Sequence, residues 1–332
     1  MKLLDELPDD ALNQKRRIFL LVNQWAAFLL LFKQPEYYDL LTRYEPMAVG
    51  LGDPGILGAF YACLGSIQWW FGFLSQSVPT LAEAARLCEE AGDAKRAGNV
   101  INSLQWCHFW MGDFDQVIAL KEDALRLLDI AFNSRTYVMS MSATSMAYSQ
   151  MGQWEEAKKD GQQGLKVAEE YSNNSLASFA AFALALANIL ENNPRQALDF
   201  AESAVQKAPT IGDRVFSQCG LSWALCRSGE ALKAIELGTE LISMFQAVRF
   251  VPGEIWETVI VAEGLLLAGE HEKATETIKK ALELARRCEM KFFIGWACRL
   301  QGEIALKTNP AQAGEPLAAP TELDLALEKI QT

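Results

Sequence analysis

The sequence predicts an all-α solenoid of about eight antiparallel helix hairpins, and three observations carry that prediction. A short turn cassette recurs at near-constant spacing. The apolar residues that flank it follow helical periodicity. No window of the 332 residues alternates polar and apolar positions as a half-buried strand would.

The cassette is clearest in Met111-Gly112-Asp113-Phe114-Asp115-Gln116-Val117 and Met151-Gly152-Gln153-Trp154-Glu155-Glu156-Ala157. Degenerate copies occupy 192–197, 229–234, 269–274 and, more weakly, 309–313. The final residues, Val117, Ala157, Ala197, Ala234, Ala274 and Ala313, are spaced by 40, 40, 37, 40 and 39 positions. In each cassette Gly or Asn suits a left-handed residue that ends one helix. The next Asp, Gln or Pro starts the following helix. The terminal Ala is small where two helix axes approach.

The elements follow in order. An apolar helix spans about 11–32 and a second about 36–49. Asp53-Pro54 opens a helix that runs through Trp69-Trp70-Phe71, and Val78-Pro79 opens its partner, which ends near Gly92. Downstream, each cassette separates two helices of similar length, for example a first helix over 137–151 or 254–267 and its successor. Ala274, Ile278, Ala281, Ala285 and Cys288 mark one face of such a successor, as do Trp154, Ala157, Gly161, Gly164, Ala168 and Tyr171. A hairpin of this kind cannot bury its face alone and must stack on neighbours. The chain therefore reads as a single solenoid over 1–332, with a divergent hairpin at 1–50 and an incomplete or atypical one at 309–332.

Composition narrows the function. Thirty Lys and Arg against 42 Asp and Glu give a net charge of −12, which disfavours a phosphate-backbone partner and predicts no nucleic-acid binding. Two histidines leave little room for His-based metal sites or catalysis. Seven cysteines without a C-x-x-C pair read as reduced thiols in a cytoplasmic protein. The apolar runs at 18–32 and 176–190 are too short to span a bilayer and carry Asn or Gln, so no membrane insertion is expected.

Motifs for chemistry are absent. Gly50-Leu51-Gly52-Asp53-Pro54-Gly55 matches G-x-G-x-x-G, but a helix precedes it and Asp53-Pro54 reads as a helix start. No Walker loop, H-E-x-x-H or G-x-S-x-G occurs. Glu89-Glu90, Glu155-Glu156 and Glu169-Glu170 are adjacent along helices and point apart. His108 reads as a packing residue. No catalytic, cofactor-binding or metal-ligating residue is assigned, and no enzyme activity is expected.

The pattern M-G-x-[FW]-[DE]-x-A, with Tyr148 near the end of the preceding helix, resembles tetratricopeptide repeats. The longer spacing is similar to the long-hairpin variant of the maltose-regulon activator and related bacterial signalling ATPases. The segments LGDPGILGAFYACLGSIQWWFGFL and LKTNPAQAGEPLAAP resemble the C-terminal helical region of bacterial adenylate/guanylate cyclase or signalling-ATPase proteins. Neither catalytic domain is present here, so neither activity transfers. The resemblance implies a right-handed superhelix whose first helices line a concave groove. Transferring that register gives a candidate groove of Asn99, Asn102, Trp106 and Phe109; Met139, Ser142, Met146 and Ser149; Phe179 and Phe182; Phe216, Cys219 and Trp223; and Trp256, Val259 and Glu263. Trp106 and Trp223 are the expected anchors. Two readings of the set stand: an open groove for a helix or extended peptide, or a tight superhelix that packs these residues against its own neighbours. The resemblance implies a non-catalytic scaffold or regulatory region for a protein or peptide partner in bacterial signal transduction. The alternative is a small-molecule-sensing regulatory domain.

Overall fold

The structure, a computed structural model, describes residues 6, 8–31 and 33–308. The cassette at 309–313 and the atypical hairpin expected over 309–332 lie outside the described residues. Helices follow one another with short connections: α1 (Ala11–Asn23), α2 (Trp25–Leu30), α3 (Gln34–Gly50), α4 (Pro54–Trp70), α5 (Leu74–Glu90), α6 (Ala94–Met111), α7 (Phe114–Ile130), α8 (Ser134–Gln150), α9 (Trp154–Glu170), α10 (Asn174–Leu190), α11 (Pro194–Lys207), α12 (Ile211–Arg227), α13 (Ala231–Val248), α14 (Val251–Leu267), α15 (His271–Arg287) and α16 (Lys291–Thr308). No strand occurs among the described residues. From α4 to α15 successive helices pair as antiparallel hairpins, and each hairpin stacks on the next. Near the N-terminus, α1 and α3 pack on α4.

The two ends of the hairpins differ in their caps, although left-handed residues also occur at the connections between hairpins, at Gly52, Gly92, Ser172, Arg249 and Glu289. Turns within hairpins close on left-handed residues: Gly72, Gly112, Gly152, Asn192, Gly229 and Gly269 all have positive φ. These turns form one rim of the superhelix, here called the lower rim. Connections between hairpins form the upper rim, where side chains cap the next helix. Asp53 accepts from the Ile56 amide, Asp93 from Arg96, Asn133 from Arg135, Asn173 from Leu176 and Thr210 from Asp213.

The cassette anchors Val117, Ala157, Ala197, Ala234 and Ala274 are all fully buried. A small side chain there lets paired helices close, and the long helices α10 and α14 are consequently buried almost all round. A charged tie joins three helices: Lys121 Nζ donates to Asp160 at 2.7 Å, and Thr144 Oγ1 donates to the same carboxylate at 2.6 Å.

Three local expectations change. The apolar run expected over 11–32 holds two helices, Ala11–Asn23 and Trp25–Leu30, with Gln24 between them; there the Leu21 carbonyl accepts from both the Gln24 amide at 3.2 Å and the Tyr37 hydroxyl at 3.0 Å. The helix expected to open at Val78-Pro79 begins instead at Leu74, with Phe73 as its N-cap after Gly72. Pro79 lies inside it, at the sixth position, where the hydrogen-bond ladder forgoes the bond to the Ser75 carbonyl. Tyr171 does not continue the buried stripe of α9; it turns to solvent and stacks on Phe132, with ring centroids 5.5 Å apart.

The superhelix closes on itself. Trp70 donates its indole N–H to the Val248 carbonyl at 3.1 Å and packs its ring 4.3 Å from that of Phe250. The lower rim of the α4/α5 hairpin therefore rests on the upper rim of α14. One hairpin later, the backbone of Gly112 lies against Phe292 at the start of α16. Counting hairpins at Pro54, Ala94, Ser134, Asn174, Ile211 and Val251 gives five per superhelical turn.

Gly72 sits in that contact. Its φ is +79°, and an added Cβ would lie 2.9 Å from Cys288 Sγ and 3.1 Å from Val251 Cγ1. Gly269 has a similar φ of +82° and open space around it. Gly72→Ala and Gly269→Ala share the backbone strain, about 1–2 kcal/mol. In denaturant titration Gly72→Ala is expected to cost about 1–3 kcal/mol more, the overpacking penalty of the turn-on-turn contact.

Candidate functional site

The first helices of the hairpins carry the interior. Trp106 of α6 meets Phe179 of α10 at 5.5 Å, Phe179 meets Phe182 at 5.8 Å, and Phe182 meets Trp256 of α14 at 6.3 Å. Trp256 meets Trp110 at 5.9 Å, and Trp110 returns to Trp106 at 5.8 Å. This circuit of rings passes around the superhelix axis. With five hairpins per turn the facing walls are close enough for large side chains to touch, and they fill the space between them.

Each candidate groove residue can now be placed. Trp106, Phe109, Met146, Phe182, Trp223 and Trp256 are buried, as are Ser142, Ser149, Cys219 and Val259. Phe179, Phe216 and Met139 are half-buried against the same core. Phe216 reaches Phe250 at 5.2 Å. Asn99 and Asn102 work between hairpins: Asn99 Oδ1 accepts from Thr136 Oγ1 at 3.3 Å, and Asn102 Nδ2 donates to the Thr136 carbonyl at 3.4 Å. Glu263 is buried and accepts from Trp223 Nε1 at 3.2 Å and from Arg227 at 3.0 Å. Of the two readings of the set, these contacts are those of a tight superhelix that packs the residues against its own neighbours. His108 is half-buried, with Nδ1 3.6 Å from Asp113.

Open space lies instead at the lower end of the interior. A cleft of about 760 Å³ is roofed by the lower ends of α6, α8, α10 and α12 and floored by the first half of α16. Trp223 is the member of the candidate set that lines it. The other linings are Phe114, Gln150, Ile189, Leu190, Phe292 and Trp296, with Arg227, Lys291 and Arg299 as cations and Asp113 as the carboxylate. Trp223 and Trp296 pack at 4.4 Å, so the two indoles form one apolar wall. Glu263, behind that wall, fixes both the Trp223 indole and the Arg227 guanidinium. Lys291 is 3.9 Å from Asp113, and Arg299 pairs with Glu303; both cations are about half exposed. Gln150 Nε2 is shielded and makes no hydrogen bond among the described residues. The cleft therefore offers aromatic area, three cations and an unused amide donor. Among the described residues no His, Cys, Asp and Glu group gathers as a metal-holding set.

Comparison with known proteins adds the fold's relatives. No family model matches the sequence, and no curated protein does. Solved structures do. A Rap protein complexed with competence and sporulation factor is similar, with a TM-score of 0.55 and 11% identity, over 88% of this chain and 99% of that one. A signal transduction ATPase with numerous domains from Pyrococcus horikoshii, which carries a tetratricopeptide repeat sensor, is also similar. Its TM-score is 0.50 at 11% identity, over 99% of this chain and 50% of that one. The fold is the tetratricopeptide-repeat solenoid. At 11% identity the likeness extends to the fold alone.

In this tetratricopeptide solenoid, Arg227, Gln150, Phe292, Trp296 and Arg299 escaped the sequence reading. A signal for three of them existed. Extending the groove register by one more hairpin reaches Phe292, Trp296 and Arg299, which share a helix face by their spacing of 4 and 3. For Arg227 and Gln150 there was none, because they end their helices and only the winding brings those ends together.

A second buried feature lies in the solenoid wall. Glu257 is fully buried and accepts from Ser222 Oγ at 2.8 Å. Burial pushes its carboxyl up to about 8, against a smaller lowering by hydrogen bonds from Ser222 and Cys219. The folded-state value lies above the ordinary 4.5, so the neutral acid's contribution is complete below that pH and is lost as pH rises through about 8. Thermal midpoints are expected to fall across this window, and Glu257→Gln is expected to flatten the fall. Trp106→Ala, which opens the aromatic circuit, should cost about 3–5 kcal/mol in equilibrium unfolding. A groove residue free of packing would cost far less.

Proposed function

We propose that this chain is a non-catalytic binding module that captures an acidic, apolar-anchored peptide segment of a protein partner in the lower cleft. One observation carries the reading: three cations and a paired-indole wall converge on an open cleft in a chain whose net charge is −12. Aromatic rings supply contact area at low conformational cost, and Arg and Lys supply carboxylate recognition. Arg227, Lys291 and Arg299 favour encounter with an acidic ligand over a basic one. Trp223 remains the proposed anchor from the sequence-derived set, packed beside Trp296.

The Rap structure in complex with competence and sporulation factor and the ATPase with a tetratricopeptide sensor support a regulatory role in signal transduction. Seven free cysteines support a reducing, cytoplasmic setting. Among the described residues no helix is long and apolar enough to cross a membrane. A small-molecule sensor is the second reading, favoured by a cleft volume within the usual range for ligand pockets.

A fluorescence-anisotropy screen of peptide pools tests the proposal. Acidic peptides with a bulky apolar residue are expected to bind and basic pools are not. Lys291→Glu with Arg299→Glu alters two half-exposed side chains and is expected to weaken binding by about tenfold or more, with an unchanged melt. Equal binding by the double variant would sink the peptide reading. Saturable quenching of tryptophan by a small carboxylate, without peptide binding, would favour the sensor.

A further inference from the structure

The upper rim changes character along the chain. At α14 and α16 it is covered: Trp70 of the preceding turn packs on Phe250, and Gly112 of the preceding turn rests on Phe292. Phe250 stands where earlier hairpins place a polar cap, and it is fully buried. The covered rim is thus apolar, and what covers it is the lower rim of hairpins five positions earlier.

At α8, α10 and α12 the same rim is uncovered among the described residues, yet it carries large apolar groups at repeat spacing. Ile130 is 68% exposed, Phe132 55%, Tyr171 57% and Ile211 70%. Phe132 and Tyr171 stack on each other across adjacent connections and so present one continuous face. The opposite rim shows the matching pattern. Its α4/α5 and α6/α7 turns are used within the chain, whereas at the later turns Leu232 is 75% and Leu267 50% exposed.

We infer that the upper rim at Phe132 and Tyr171 docks the lower rim of a second copy of this chain, at Leu232 and Leu267, continuing between molecules the turn-on-turn contact that each makes within itself. The argument is one of continuity: the same class of rim surface already buries its apolar groups against the same class of partner surface one turn later. A pairing of one rim with the other is heterologous, so it leaves a free rim at each end and propagates head to tail. Polar caps at Asn133, Asn173 and Thr210 keep the uncovered rim compatible with water, and the net charge of −12 opposes contact. Association is therefore reversible, concentration-dependent and strengthened by salt.

Sedimentation velocity of the full chain over a wide concentration range tests this. The wild type is expected to self-associate. Phe132→Asp with Tyr171→Asp, and separately Leu232→Asp with Leu267→Asp, are each expected to be monomeric alone. Mixed, the two variants are expected to form a one-to-one pair, because each keeps the rim that the other lacks. The altered side chains are exposed, and unchanged melting curves would confirm intact folds; should aspartate unsettle a rim, serine at the same positions serves. A wild type that is monomeric throughout would overturn the proposal. So would loss of association in the upper-rim variant alone, or a mixture that fails to pair.

Discussion

Everything distinctive in this molecule depends on the contact between the end of α4 and the start of α14. Trp70 spans it, with its N–H on the Val248 carbonyl and its ring on Phe250, across 178 positions of sequence. Solenoids are quasi-one-dimensional: each repeat touches its neighbours and stability is close to a sum of nearest-neighbour terms. Here one turn rests on the next, so hairpins five apart share an interface. Local unfolding of α4 strips cover from Phe250, and the array gains a cooperativity that a linear stack lacks.

The same closure sets the interior. Five hairpins per turn bring opposite walls within ring-to-ring distance, and the first helices meet through Trp106, Phe179, Phe182, Trp256 and Trp110. Aromatic residues at such positions would line a groove in a wider superhelix. At this pitch they form a second core inside the first, and the free volume is displaced to the lower end, where α16 faces the ends of α6, α8, α10 and α12. The cleft is thus a consequence of where the superhelix stops filling itself.

Charge placement follows from the same geometry. The chain is acidic overall, and the cleft gathers Arg227, Lys291 and Arg299 from helices far apart in sequence. Glu263 is spent on orienting Arg227 and Trp223 rather than on neutralising the cleft as a whole. Glu263, buried behind the cleft, holds the Trp223 indole and the Arg227 guanidinium in fixed orientations.

The amino-acid sequence by itself determined the hairpin unit. Glycine or asparagine at each turn, alanine or valine at each close approach and the helical stripes between them are local features, and periodicity reports them directly. Val117, Ala157, Ala197, Ala234 and Ala274 are buried because the repeat demands it. Local signals failed at Gln24, where the Leu21 carbonyl accepts from both the Gln24 amide and the Tyr37 hydroxyl, and at Tyr171, which turns out to meet Phe132. The pitch of the superhelix was decided by tertiary structure alone. It is a small rotation summed over five hairpins and fixed by a contact between residues 70 and 250, and no local pattern encodes such a sum. For that reason the sequence could name the aromatic residues of the first helices, whereas only the winding decided that Trp106 and Trp223 are both buried and that Trp223 also borders the lower cleft.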